Sequence, residues 1–481
     1  MRTGIRGSVA ASAVLGGMLV AAVAGGAPGA AAASAPREGV LAGGPGVYPG
    51  VIGGVNYESH GVRGVTDAAG RFQFRGDGTV RFSIGSIEIG SVRPEPVVTP
   101  FALAGDRECA TTESVARTLV FLQSVDDDAN PDNGIQISAQ TRSRATDRVR
   151  VKDLSEAAMT SLVGRLTGRT SLAPRAQVLD RFYDQMDSET WAQQSSRSFG
   201  GDPAGMFKVL GDMESGTTPS TAELDKVPGL LRSQGVATDG HSLFYSWQYG
   251  LTRTKTDPEQ TPQAYNTPAI PAQIAKLGGN HIGDIDYYQG KIYAPIEDGD
   301  RTDGTPEYSY PHIAVYDAKT LRFTGRYALL PRDLHVEGVP WVAVDARRGY
   351  LYTAEWSNTK VLNVFSLKDF HLVKTVPLSR TLDRIQGAKM YGGMLYAFAD
   401  KGDAKPLDKI NPDTGHVVRV YSVPTPSHSE GEGLVFLPTS DGSVLHTLDI
   451  APDQLSVNLR GHRLTRPSLR TQVCDAKVWR N

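Results

Sequence analysis

Cysteine is almost missing from this chain. There are two in 481 residues, Cys109 and Cys474. That excludes a disulfide-dense scaffold, which needs several bridges in a short chain. An excess of one charge sign is missing too, with 50 Lys and Arg against 52 Asp and Glu. No basic stripe stands out, which argues against a nucleic-acid partner. Beyond the N-terminus no apolar run reaches the roughly 20 residues that spanning a bilayer requires, so no membrane insertion is expected. Local catalytic signatures are absent as well. There is no G-x-S-x-G elbow, no H-E-x-x-H, no P-loop and no Rossmann glycine pattern.

The first 35 residues read as a secretory signal peptide. Arg2 and Arg6 precede an apolar run from Val9 to Val23, and Ala33-Ser34-Ala35 supplies small residues for cleavage. The mature chain is therefore expected to be secreted and extracellular. Outside the cell two cysteines tend to pair, and a Cys109–Cys474 disulfide would tie the C-terminal tail (466–481) to the N-terminal part. Two buried free thiols are the alternative. Residues 36–49, rich in Gly and Pro, read as a flexible lead.

From 50 to 140 short strand patterns alternate with turn signals. Phe72 and Phe74, then Val80, Phe82 and Ile84, recur with the period of half-buried strands. The run TDAAGRFQFRGDGTVRFSIGSIEIGSV is similar to small prealbumin-like β-sandwich modules of bacterial surface proteins, a resemblance that implies no catalysis. A helix pattern follows, with Val115, Leu119 and Leu122 on one face. It runs into DDDANPDNG, where Asp126, Asp128, Asn130 and Asp132 alternate. Oxygen ligands on every other residue suit Ca²⁺, which takes six to eight of them. The loop lacks the glycine and the closing glutamate of a twelve-residue calcium loop, so a solvated acidic turn is the alternative. Residues 141–233 read as a helical and connecting region. Asp153 and Glu156 suggest a capping box there, and Met159, Leu162, Val163 and Leu166 a buried stripe.

The second half repeats itself. Five stretches share a polar residue and Gly, a short apolar strand, a Gly turn and a strand with a central aromatic. Their turn glycines are Gly240, Gly290, Gly349, Gly393 and Gly442. Further strand pairs follow, joined by turns such as YDAKT and NPDTG. Four strands per unit at this period signal β-propeller blades. The fold class expected is mainly β: a small N-terminal β-sandwich with helices, then a propeller over 234–465. Five blades fit, and six are possible if the connector adds one. The YDAKTL and INPDTG turns resemble those of the superfamily that includes senescence-marker-like lactonases, strictosidine-synthase-like proteins and low-density-lipoprotein-receptor-type propellers. That resemblance covers about half the chain and specifies blades rather than chemistry.

In such a blade the first strand starts, and the second ends, at the same mouth. Glu337 and Glu355 should therefore meet at one rim. Asp284 and Asp286 are matched by Glu297 and Asp298, Gln386 by Asp400, Glu430 and Glu432 by Asp449, and Gln234 by Trp247 or Gln248. Carboxylates so close raise each other's pKa or require a cation, and Ca²⁺ held by Asp284, Glu337 and Glu432 would relieve them. The lactonases and paraoxonase-like propellers of the resemblance use such a metal, but the asparagines of their ligand pattern are not found here. Nor are the local signatures of arabinanase-type five-bladed hydrolases, whose paired carboxylates do glycoside chemistry. The alternative is that the acids are solvated or cap turn amides.

His281, His335 and His428 precede first strands. With Glu337, Glu355 and Asp284, His281 and His335 form the candidate catalytic set, a histidine serving as base. Gln234, Trp247, Trp356, Gln386, Glu430 and Glu432 form the candidate ligand-binding set, since aromatic faces beside acids suit sugars or cationic groups. Two functional readings follow for a chain expected to be monomeric. One is a binding protein whose acidic mouth holds an extracellular small molecule, glycan, peptide, cell-wall fragment or protein. The other is a metal-dependent hydrolase or lyase acting there on a lactone, phosphoester or glycan. A purely structural surface protein is the third and barest.

Overall fold

The computed structural model describes residues 36–42, 51–76, 78–93, 97–104, 113–130, 133–179, 189–299 and 303–466. The signal segment, Cys109, Asp132 and Cys474 lie outside the described residues.

Alternating burial along Arg71–Phe74 and Val80–Ile84 matches the period-two pattern of their sequence. Val80–Ile84 lies in a four-stranded sheet with Asn56–Ser59, Val62–Val65 and Ile87–Val92. Arg71–Phe74 pairs with Arg37–Leu41, so part of the expected lead is a strand. One apolar core gathers these strands and the helices Glu113–Ser124 and Glu156–Thr167, and it reaches Leu179. The helical stretch after residue 140 thus shares the core of the strands before it. The latter helix is capped by Ser155, whose side chain accepts from the Ala158 amide, rather than by Asp153. Ser155 sits directly before the first helical residue, where its oxygen reaches the free amides of the first turn.

The rest of the described chain is dominated by five antiparallel sheets of the same plan. The first sheet holds Gly235–Thr238, Ser242–Trp247, Gly250–Lys255 and Pro262–Asn266. The second begins with a split strand, His281–Ile282 and Asp286–Tyr288, followed by Lys291–Glu297, His312–Asp317 and Phe323–Leu329. The third holds Ala343–Asp345, Tyr350–Thr353, Thr359–Ser366 and Leu372–Leu382. The fourth holds Ile385–Tyr391, Met394–Ala399, Ala404–Ile410 and Val417–Pro424. The fifth holds Glu430–Phe436, Leu445–Ile450 and Val457–Arg466, and takes its outer strand from Thr190–Phe199. The connector therefore completes the last sheet instead of starting another.

The first strands touch their neighbours in a closed ring, from the first sheet through the fifth and back. An apolar cluster fills each gap between adjacent sheets. Phe244 and Ile292 share one, Ile313 and Leu351 another, Tyr352 and Leu395 a third. Tyr396 meets the Phe436 ring edge-on in the fourth gap, and Leu448 meets Tyr245 in the fifth. A sheet buried on both faces needs neighbours on both sides, and a ring supplies them without leaving an end. The five turn glycines all have positive φ, where a side chain would be strained.

Candidate binding site at the ring mouth

The five first strands converge on one carboxylate. The second sheet's first strand breaks between Ile282 and Asp286, and Asp284 sits in the break. Its backbone bonds to the third sheet: its amide donates to Pro340 O (2.8 Å) and its carbonyl accepts from Val342 N (3.2 Å). Oδ1 accepts from Val236 N of the first sheet (3.0 Å). Oδ2 accepts from Ala388 N (3.2 Å) and Lys389 Nζ (2.5 Å) of the fourth. Gly235, Gly387 and Gly433 leave the space it fills, since a Cβ on any of them would come within 3 Å of a carboxylate oxygen. Burial pushes the Asp284 carboxyl up to about 7 despite the Lys389 ammonium beside it. Asp286 is raised by burial as well, and its Oδ2 accepts from Val344 N (2.8 Å). The centre of the ring is thus filled by an internal ion pair.

Above it, acids at the ends of second strands receive amides from the next sheet. Glu297 Oε2 accepts from Val339 N at 2.8 Å, and Asp400 Oδ1 accepts from Gly431 N at 3.0 Å. Glu297 Oε1 also meets His281 Nδ1 (3.0 Å), whose Nε2 faces Gln234 Oε1 (2.6 Å). Asp298 accepts from Tyr310 N (2.9 Å), and Asp449 is paired with Arg460 at 2.6 Å. Asp400 takes Lys405 Nζ at 2.6 Å and Arg384 at 2.5 Å. Burial works against its ionisation, but these cationic donors hold it below the usual carboxylate range.

Glu337 and Glu355 lie at the same end of one hairpin. Glu355 Oε1 accepts from Val336 N (3.0 Å), and Glu337 O accepts from Trp356 N (3.2 Å). The Glu337 side chain is exposed and reaches Ser357 Oγ at 3.5 Å. His335 is fully buried, with Nδ1 against Pro331 O and Nε2 against Thr353 Oγ1, both at 2.8 Å. Burial pulls its imidazole down to about 4, so it is neutral and enclosed. Trp247 is buried among Val209, Leu224 and Leu231, away from solvent. Glu432 is buried, and burial, then Glu430, Asp400 and Asp284, raise its carboxyl well above the ordinary value. Glu430 beside it is exposed, and Gln386 and Gln234 are half-buried. His428 has positive φ in the turn before Glu430.

Three basic residues complete the mouth. Lys389 and Lys405 are buried, and Arg384 lies with its guanidinium 4.7 Å from the centre of the Trp356 ring. Lys389 had a faint signal, a lysine inside the short run IQGAKMY. Arg384 and Lys405 sit in polar stretches where nothing distinguishes them. Among the described residues, no group of three or more His, Cys, Asp or Glu side chains could hold a metal ion. Asp284, Glu337 and Glu432 are not gathered into such a group, and a lysine meets the first of them.

No protein-family model matches the chain, and no curated protein matches it. Solved structures do align with about half of it. A β-xylosidase, RS223, aligns at 10% identity over 49% of this chain and 93% of its own, with TM-score 0.35. A gluconolactonase from Xanthomonas campestris aligns at 13% identity over 48% and 88%, with TM-score 0.31. The hydrazine synthase of Kuenenia stuttgartiensis aligns at 14% identity, with TM-score 0.30. This chain covers 46% of its own length in that match and spans 56% of the synthase chain. Likenesses of this grade carry no inference about chemistry. The architecture rests on the structure itself, a ring of five antiparallel sheets.

Proposed function

We propose that the chain is an exported protein whose five sheets are the blades of a β-propeller, and whose mouth binds an extracellular glycan, peptide or cell-wall fragment. The N-terminal strands are read as a small sandwich-like module without catalysis. The observation that carries the proposal is the Arg384–Trp356 stack. The guanidinium is held by Asp400 and lies over a half-buried indole. That makes a rigid flat surface before any ligand arrives, and fixed aromatic surfaces lose little entropy on binding. Exposed Glu337 and Glu430 and half-buried Gln386 lie at the same mouth and offer acceptors to hydroxyls or amines. A filled ring centre favours a ligand gripped at the surface over one threaded through.

The test is binding of the full mature chain to glycan, muropeptide and peptide arrays. Trp356→Ala and Glu337→Gln should each weaken the best hit about tenfold, roughly 1.4 kcal/mol, without lowering the melting temperature. No hit, or hits indifferent to both changes, would overturn the reading. One observation favours hydrolysis as a second reading. Burial pushes the Glu432 carboxyl up while the cationic donors on nearby Asp400 hold that one down, the divergence that an acid and its partner carboxylate need. Turnover of a chromogenic glycoside, lactone or phosphoester abolished in Glu432→Gln would support it.

A further inference from the structure

The loop after the helix Glu113–Ser124 contains a buried acid without a donor for one of its oxygens. Asp126 is 1% exposed. Its Oδ1 accepts from Gln136 N at 2.8 Å, which anchors the loop to the strand Ile135–Gln136, but its buried Oδ2 has no hydrogen-bond partner. The carboxylate of Asp128 lies next to it, so two acceptors face each other. Asp128 is exposed and already arranged by the loop. Its Oδ1 accepts from Asn130 N at 2.9 Å and its Oδ2 from Asn133 Nδ2 at 2.6 Å. The backbone around them is fixed from outside, since Arg169 donates to Ser124 O (2.8 Å) and Asp127 O (3.1 Å).

We infer that Asp126 and Asp128 hold a hard divalent cation of the calcium class, with the remaining positions filled by loop oxygens and water. Two facing carboxylates, one of them dry, need a proton or a cation between them. The donors here are all oxygen, which suits Ca²⁺ and not a thiolate- or imidazole-seeking metal. Binding would lock the helix end to Ile135–Gln136, a joint between the helix and the strand beside Ile52–Gly53. The site stands apart from the ring mouth and does not depend on what the mouth does.

The experiment is calorimetric titration of the full mature chain, dialysed against chelator, with CaCl₂ and separately MgCl₂. One Ca²⁺ per chain, bound more tightly than Mg²⁺, is expected, with a rise in melting temperature. Asp126→Asn and the exposed-site change Asp128→Asn should each weaken Ca²⁺ binding at least tenfold, while Glu432→Gln leaves it unchanged. If Asp126→Asn fails to fold, Asp128→Asn still decides. No Ca²⁺ binding at millimolar concentration overturns the proposal. So does binding that survives Asp128→Asn, or that is lost in Glu432→Gln.

Discussion

Removing Lys389 would leave the Asp284 carboxylate inside the ring with two backbone amides and no counter-charge. Breaking a buried pair from one side costs about 3–5 kcal/mol, so Lys389→Met should lower the urea midpoint sharply. Adding Asp284→Asn should recover part of the loss, because the orphaned charge is then gone. His335 makes a different prediction. Its folded pKa, about 4, lies below the ordinary histidine value. The unfolded chain therefore binds the proton first, and the stability His335 supplies is complete above about pH 6.5 and lost as pH falls toward 4. Asp284, raised to about 7, has the opposite sign, since its contribution is complete below about pH 4 and lost as pH rises through 7. The two partly cancel in the whole protein, so the difference between parent and variant is the quantity to read. His335→Gln should cost about 1–3 kcal/mol at pH 7. That cost should shrink by about 1.4 kcal/mol per pH unit between 6 and 4. Urea melts across that range check it, and a pH-independent cost would mean His335 is not the buried neutral group described.

At the scale of elements, the closing strand decides whether the ring holds. Thr190–Phe199 pairs along its length with Val457–Arg466, joining segments more than 250 residues apart in sequence. Just before it, Glu189 is buried with Lys409 Nζ and Tyr396 OH both at 2.7 Å, and Trp191 Nε1 donates to its other oxygen at 3.2 Å. Glu189→Ala should lower stability by removing the carboxylate that Lys409 Nζ, Tyr396 OH and Trp191 Nε1 share. Hydrogen exchange should then show Thr190–Phe199 opening ahead of the other sheets. Uniform loss of protection across all five sheets would argue that the strand is no separate latch. The repeat's glycines belong to this scale too. A polar residue followed by Gly was legible in the sequence as a motif. Its physical reason was not. Gly235, Gly387 and Gly433 are small because Asp284 comes to them from another sheet.

For the whole molecule, the described apolar residues divide into an N-terminal core ending at Leu179 and separate clusters from Trp191 onward. The sequence by itself determined the local order. Period-two burial, left-handed turn glycines and the consecutive strands of the first four sheets all depend on residues close in the chain, and each is found where the pattern puts it. It also brought Glu337 and Glu355 to the same end of one hairpin, because antiparallel pairing requires it. Only the tertiary structure decided what the rim acids do. Glu297 and Asp400 accept amides from neighbouring sheets, Asp284 meets a lysine 105 residues on, and His335 is enclosed. It also turned the connector into the last sheet's outer strand. Those outcomes rest on contacts between sheets, and an acid's partner across a sheet gap leaves no periodic trace in the sequence.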